Sequence, residues 1–421
     1  MDKVILAEGI CLKDDEIGRV RPNDNEIIIG ATGTGKTMSV FMPTVLNTNN
    51  KSLVVSLSKR AEAWALVDYM RRKGYLTYVC DLVDPDCSTG IIDPLQMTTS
   101  YLDVVNLAKQ IVLADPDSKN VKDIYWIDGA ILLLNALMLV AMMVIDNATM
   151  ADVLDLFDSL VIEEDGKGIT TSLDQMFDDV ELWSGKSPAV TAFADLRQLP
   201  YTTSACIRDS LAKALRRMFP EPIRRMMRGD KHKLVNFETI AKKKTMLMII
   251  TSAVNTSLYL FADLVFGIAI KQLLEFAEKC EGQRLPQSVK LIFDDFACGA
   301  RINDFSKHIS IFRSAGISAM MFLQSESQLR HMYSESESEN IINNCSVYAY
   351  LTGGMDLSTC TNISKRLDVP LTDILYAPLG QVIVMQAGKS PVRSNRYDTL
   401  NSREYKEYME KKLNIRKEKT K

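Results

Sequence analysis

Short runs of apolar residues recur along the 421-residue chain, set between longer segments with helical spacing. Eight stand out: Glu26–Ile29, Ser52–Ser56, Tyr75–Leu82, Met246–Ser252, Val289–Asp294, Ile317–Leu323, Val347–Leu351 and Gln381–Gln386. Most are apolar at nearly every position, the pattern of strands covered on both faces rather than the alternation of a half-exposed sheet. Helical segments separate them, so they predict an α/β core on a mostly parallel sheet. Between Pro94 and about Ile240 the strand signal stops. Helical stretches follow one another there, at Tyr101–Val112, Trp126–Ile145, Ala151–Leu160, Pro188–Leu196 and Thr202–Met218, broken by clusters such as EDGKGITTS. The pattern predicts an α/β domain of residues 1–96 and 241–421, interrupted by an all-α domain at 97–240. Ser402–Lys421 reads as a charged terminal helix and SESESEN (Ser334–Asn340) as an exposed loop.

The longest apolar run, AILLLNALMLVAMMVI, covers Ala130 to Ile145 and carries Asn135. It is shorter than the roughly 20 residues a bilayer requires, so it reads as a core helix of a soluble chain. Composition changes the picture little: 47% hydrophobic and 24% charged is ordinary for a folded protein. The eight cysteines form no C-x-x-C pair and read as buried thiols in a reducing compartment. His232, His308 and His331 lie far apart and make no metal constellation. Net charge is -3, so any nucleic-acid contact must come from a local patch. One candidate exists. Arg208 to Lys244 holds twelve Lys/Arg against four acids, a local balance of +8. A phosphate-tracking surface and a solvated basic face explain that run equally well.

The chemistry begins at GATGTGKT, Gly30 to Thr37, whose spacing is G-x-x-x-x-G-K-T. It follows a predicted strand and precedes a predicted helix, the context a phosphate-binding loop requires. Gly30, Gly33 and Gly35 let the backbone bend, so that the amides of Gly30, Ala31, Thr32, Gly33, Thr34 and Gly35 can approach phosphate oxygens. In that role Lys36 contacts the β- and γ-phosphates of ATP and the Thr37 hydroxyl ligates Mg²⁺. A second signal is VKLIFDDF: Asp294 ends an apolar strand, where a Walker B carboxylate would sit in the Mg²⁺ shell, and Asp295 follows where a residue can polarise the attacking water. Gln324, ending the strand ISAMMFLQ, stands where a γ-phosphate sensor would sit.

Together these stretches resemble the TraG/TraD-like coupling proteins of type IV secretion and conjugation, ring ATPases with a RecA-like P-loop core. The resemblance runs along nearly the whole chain. Asn23-Asp24-Asn25 is similar to the family's lead-in, and KDIYWIDGAILLLNALMLV to the opening of its all-α domain. DDFACGARINDFSKHISIFRSAGISAMMFLQSESQLRHMY resembles its D-E-F-A-N-I-G-x-I-x-x-F, I-R-S and L-Q-S-x-S-Q-L blocks, and IINNCSVYAYLTGG its I-I-G-N-C block. The resemblance implies that Arg313 is an arginine finger reaching the neighbouring subunit's nucleotide. It also implies a homo-oligomer, a hexameric ring, working on a relaxase and single-stranded DNA with the components of a type IV secretion channel, at the cytoplasmic face of the bacterial inner membrane.

Two departures stand against the family pattern. Its D-P-K-G-E block reads Leu57-Ser58-Lys59-Arg60-Ala61-Glu62 here, keeping only Lys59 and Glu62. Relatives open with transmembrane helices, whereas 29 residues precede Gly30 in this chain, which leaves anchoring to a further segment or to a membrane partner. The expected function is an ATP-dependent motor that drives DNA transfer. The alternatives are a receptor for protein effectors with little or no hydrolysis, favoured by Asp295 in place of glutamate, and a monomeric P-loop kinase, which the long helical insertion argues against.

Overall fold

A computed structural model describes residues 2–13, 23–114, 124–164, 169–229, 233–255, 257–298 and 301–419. Lys122, Asp123, residues 165–168, Asp230, Lys231, His232, Gly299, Ala300, Thr420 and Lys421, from stretches quoted above, lie outside the described residues. The strands in chain order are β1 (Lys3–Ala7), β2 (Ile10–Lys13), β3 (Glu26–Ile29), β4 (Ser52–Leu57), β5 (Leu76–Asp81), β6 (Ile162–Glu164), β7 (Ile169–Thr171), β8 (Thr245–Ile250), β9 (Val289–Phe293), β10 (Ile317–Leu323), β11 (Val347–Leu351), β12 (Gln381–Gln386) and β13 (Val392–Asn395). The chain divides into two compact units: Met1–Asp81 with Asn236–Asn255 and Ala269–Lys421, and Leu82–Val235 with Thr256–Ile268. The sequence pattern places the first boundary at 96, but the segment from Leu82 on is tied to the helical unit. Ile91 pairs with Leu234, and the buried Asp93 carboxylate accepts the amides of Leu95 (3.0 Å), Gln96 (3.1 Å) and Met150 (2.9 Å).

The first unit holds a nine-stranded sheet in the order β13-β12-β11-β3-β10-β9-β4-β8-β5. Its seven members from β11 to β5 are parallel, and β3, β4, β8, β9, β10 and β11 are buried along their whole length, as their unbroken apolar runs require. β12 runs antiparallel to β11 and β13 antiparallel to β12, adding a hairpin at one edge that the apolar pattern half reveals: β13 is polar and exposed. The carboxyl ends of the parallel strands form one edge, and sites in such sheets sit there. At the amino edge the Asn23-Asp24-Asn25 lead-in acts as a brace. Asn23 Oδ1 accepts the Asn25 and Ser346 amides (both 3.0 Å), and Asn25 Oδ1 accepts the Ala319 amide at 3.0 Å.

An aromatic cluster stands under the end of β9. The Phe305 ring lies 5.9 Å from Phe293, 4.9 Å from Phe296, 6.0 Å from Phe312 and 6.4 Å from Tyr333. Phe305 is fully buried, so Phe305→Leu, which loses ring contacts yet keeps most of the volume, should lower unfolding free energy by about 1–2 kcal/mol in a denaturant titration. Ser334–Asn340 is a correction to the expected loop. It opens a helix, Glu335–Asn343, because Ser334 and Glu337 form a reciprocal capping box and the acids sit in its first turn. None of the eight cysteines, all among the described residues, is in a disulfide, but Cys11, Cys87 and Cys206 are exposed, which corrects the expectation of uniformly buried thiols.

In the second unit the apolar helix Ile124–Val144 packs against Tyr101–Leu113, Pro188–Arg197 and Tyr201–Met218. A Cβ on Gly129 would meet Ile207 Cδ1 at 2.6 Å, so glycine permits the close crossing of two of these helices. Tyr125–Val144 and Ser257–Lys279 are long and apolar enough to cross a membrane by length and composition, and most of each is buried within the protein. The unit is not purely helical: β6 and β7 pair as a short antiparallel hairpin. Several of its basic residues are matched by acids. Arg224 pairs with Asp158 (2.6 Å), Lys213 with Asp209 (2.8 Å), Arg225 with Asp86 (3.9 Å) and Arg228 with Asp155.

Candidate nucleotide site

β3 ends at Ile29, and the chain turns through Gly30–Lys36 into a helix that opens with a wide π-type turn, Thr37–Phe41, and continues as Met42–Asn47. The turn is held from beneath, since the Gly30 amide donates to Leu323 O on β10 at 3.1 Å. Within it Thr34 Oγ1 donates to Ala31 O at 2.8 Å. A Cβ on Gly30 would lie 2.6 Å from Thr34 Oγ1 and 3.0 Å from Leu351 Cβ, so the fold leaves no space for a side chain. Gly35 has φ +93°, a conformation that L side chains rarely adopt. Amides wound in this way at the head of a helix converge on an anion.

Lys36 folds back over the loop, its Nζ donating to Ala31 O at 3.3 Å and to Gly30 O. Burial lowers its pKa, against the charges of Asp295 and Asp294 that raise it. Asp294 is the first residue past β9 and is buried. Thr37 Oγ1 donates to its Oδ1 at 3.2 Å, across a sequence separation of 257 residues. Burial pushes the Asp294 carboxyl up to about 7, with the charge of Asp295 adding to the rise; the Thr37 hydrogen bond and the ammonium groups of Lys59 and Lys36 oppose it. Lys59 caps the helix Arg60–Arg72 at the end of β4, so the one lysine kept from the altered D-P-K-G-E block lies close enough to Asp294 to act on it. The hydroxyl at the head of the loop's helix and the carboxylate just past β9 form a hard-oxygen donor set of the kind Mg²⁺ takes.

Gln324 sits exposed at the end of β10, beside β3. Its amide donates to Gln328 Oε1 at 3.0 Å, and Gln328 Nε2 donates to Cys298 Sγ at 2.8 Å, so Gln328 ties the end of β10 to the segment after Asp295. Lys36, Thr37, Asp294 and Asp295 thus come together, with Gln324 on the next strand end. Arg313 does not join them. It lies on Phe312–Ala315, before β10, at the amino edge of the sheet, and lines a cavity of about 770 Å³ with Lys51, Arg284 and Asp24. Arg284 Nη1 donates to its carbonyl at 2.9 Å, and the exposed Arg313 side chain meets no acid among the described residues. Gln328 lies in the L-Q-S-x-S-Q-L block without being singled out by it, and Arg396, whose Nη1 donates to Thr34 O at 2.8 Å, carries no signal in any local motif.

The same arrangement of sheet and helices recurs in solved structures. The plasmid coupling protein TrwB with the non-hydrolysable ATP analogue ADPNP matches at TM-score 0.69 and 17% identity, over 94% of this chain and 89% of that one. TrwB with ADP and Mg²⁺ matches at 0.67 and 16%, over the same shares. VirB4 of Thermoanaerobacter pseudethanolicus matches at 0.53 and 13%, over 94% and 96%. These likenesses concern the fold, a RecA-like core with a helical domain. No protein of curated function matches the chain in sequence. The sequence profile of the type IV secretory system conjugative DNA transfer proteins matches residues 11–368. Phosphate loop, acidic strand end, nine-stranded sheet and a profile spanning most of the chain converge: the protein belongs to the conjugative DNA transfer family of type IV secretion.

Proposed function

We propose that the protein is a coupling protein that binds ATP with Mg²⁺ on Gly30–Thr37 and hydrolyses it within a head-to-tail ring, a hexamer by family resemblance. The turnover drives single-stranded DNA of a relaxase–DNA cargo into a type IV secretion channel at the cytoplasmic face of the membrane. The hydrogen bond between Thr37 and Asp294, beside Lys36, carries this reading, because it joins loop and strand end into one site. The amides of Ala31, Thr32, Gly33 and Gly35 hold the phosphates, while those of Gly30 and Thr34, expected to join them, instead brace the loop on Leu323 O and Ala31 O, and Lys36 neutralises β- and γ-phosphate charge. Thr37 and Asp294 hold Mg²⁺, which when bound offsets charge on the phosphate oxygens. Asp295 orients the attacking water and accepts its proton, and Gln324 senses the γ-phosphate. Arg313 serves the neighbouring subunit's nucleotide. The helical domain, 97–240 by sequence pattern, receives cargo.

ATPase rate measured against protein concentration, with and without single-stranded DNA, tests the proposal. Wild type should gain specific activity as it assembles and again when DNA is added. Lys36→Ala should lose about 10²–10³-fold in turnover at the same concentration. A low rate, flat in protein and indifferent to DNA, would defeat the motor and fit a receptor of protein effectors.

A further inference from the structure

We propose that Arg396, immediately after β13, is a positioning residue for the nucleotide site: it orients the Thr34–Gly35 peptide so that the Gly35 amide points into the phosphate cradle. The inference rests on the reading of Gly30–Thr37 as a triphosphate loop, and it concerns a residue beyond the 11–368 stretch that the family profile covers.

Arg396 Nη1 donates to Thr34 O at 2.8 Å. A peptide unit is planar and trans, so its carbonyl and the following amide point in opposite directions. Holding Thr34 O on the outer side of the loop therefore turns the Gly35 N–H inward. The neighbouring backbone does not enforce this orientation, because Gly33 (φ +83°) and Gly35 (φ +93°) flank Thr34 and glycine rotates freely through such angles. An external anchor is needed, and the guanidinium supplies one. It passes directly over Gly35, where a Cβ would lie 2.7 Å from Nη1 and 3.4 Å from Cδ. The donor is cationic, so its hydrogen bond is of the stronger kind and polarises the amide it orients.

The anchor is itself fixed. The Arg396 amide donates to Gly380 O at 2.8 Å, in the turn before β12. The Glu8 amide donates to Asn395 O at 2.9 Å and Ser394 Oγ to Glu8 O at 2.7 Å, which ties β13 to the β1–β2 turn. Thr399 Oγ1 donates to Met38 O, so the segment after β13 touches the phosphate loop's helix as well. The antiparallel hairpin at the sheet edge is in this way part of the nucleotide site, although it contributes nothing to the phosphate motif.

Titration of the full chain with fluorescent mant-ADP and Mg²⁺ tests this, with Lys36→Ala as the reference for loss of the site. Arg396→Ala should weaken binding about tenfold, the scale of one charge-assisted hydrogen bond. Arg396→Lys should recover most of that loss, because an ammonium can still donate to Thr34 O. The nucleotide-free thermal midpoint of both variants should stay within about 2 °C of wild type, as expected of an exposed side chain. Wild-type affinity in Arg396→Ala overturns the proposal, as does a loss that lysine does not restore or that tracks an equal fall in the midpoint. If wild type fails to bind mant-ADP, or Lys36→Ala binds it equally well, the nucleotide reading itself is wrong and the role of Arg396 falls with it.

Discussion

Arg313→Ala is expected to lower ATP turnover by about 10³-fold or more while leaving nucleotide affinity near wild type. The reason is geometric. The phosphate loop follows the carboxyl end of β3, whereas Arg313 stands before β10, at the amino edge of the same sheet. It cannot serve the nucleotide of its own subunit. In a head-to-tail ring each subunit presents one face to the opposite face of the next, so an arginine remote from its own loop can complete the neighbour's. The exposed side chain, held by Arg284 through its backbone and free of an acidic partner among the described residues, suits that task. Mixing provides a sharper measurement. Arg313→Ala and Lys36→Ala are each inactive alone, but an equal mixture places an intact lysine against an intact arginine at about a quarter of random head-to-tail contacts. Activity should return on mixing. Persistent silence of the mixture, or full turnover of Arg313→Ala alone, would remove the finger in trans.

Lys290→Ala should destabilise the fold by about 3–5 kcal/mol, read as a lower denaturant midpoint at unchanged slope. Lys290 is buried on β9 and its Nζ donates to both carboxylate oxygens of Glu26 on β3, at 2.7 and 3.0 Å, reaching over the intervening β10. Asp24 Oδ2 lies 3.8 Å away and is itself paired with Lys51. Truncating the lysine leaves the Glu26 carboxylate in the sheet interior with its main partner gone, and the uncompensated charge accounts for most of the cost. The pair as a whole adds much less than that, since its desolvation offsets its attraction. Glu26→Leu combined with Lys290→Met should therefore regain most of the stability. If the double variant proves no better than Lys290→Ala, the loss lies in packing and the charge argument fails.

Much of the architecture is legible in the sequence because fully covered strands must be apolar at almost every position. β3, β10, β11 and β12 fall where their runs begin and end, and the helices of the second unit start where Ser100 and Thr149 close capping boxes. β13 and the β6–β7 hairpin escaped notice because edge strands are short and wet, so burial leaves no apolar signature in them. Ser334–Asn340 misled for the opposite reason: its polar run looks like a loop, yet a serine and a glutamate three residues apart are enough to start a helix.

The nucleotide site divides along the same line. Glycines, lysine and threonine at fixed spacing declare themselves locally, because one continuous turn must wrap the phosphates, and a carboxylate at the end of an apolar strand is a local pattern too. Sequence by itself therefore determined the loop, the acidic strand end and the family. Only the tertiary structure decided that Thr37 meets Asp294, that Lys59 acts on that carboxylate from the turn after β4, that Arg313 stands at the opposite edge of the sheet, and that Arg396 grips the loop from 362 residues further along the chain. Contacts of that kind depend on which strands lie side by side and which edge each residue reaches, and no local spacing encodes strand order.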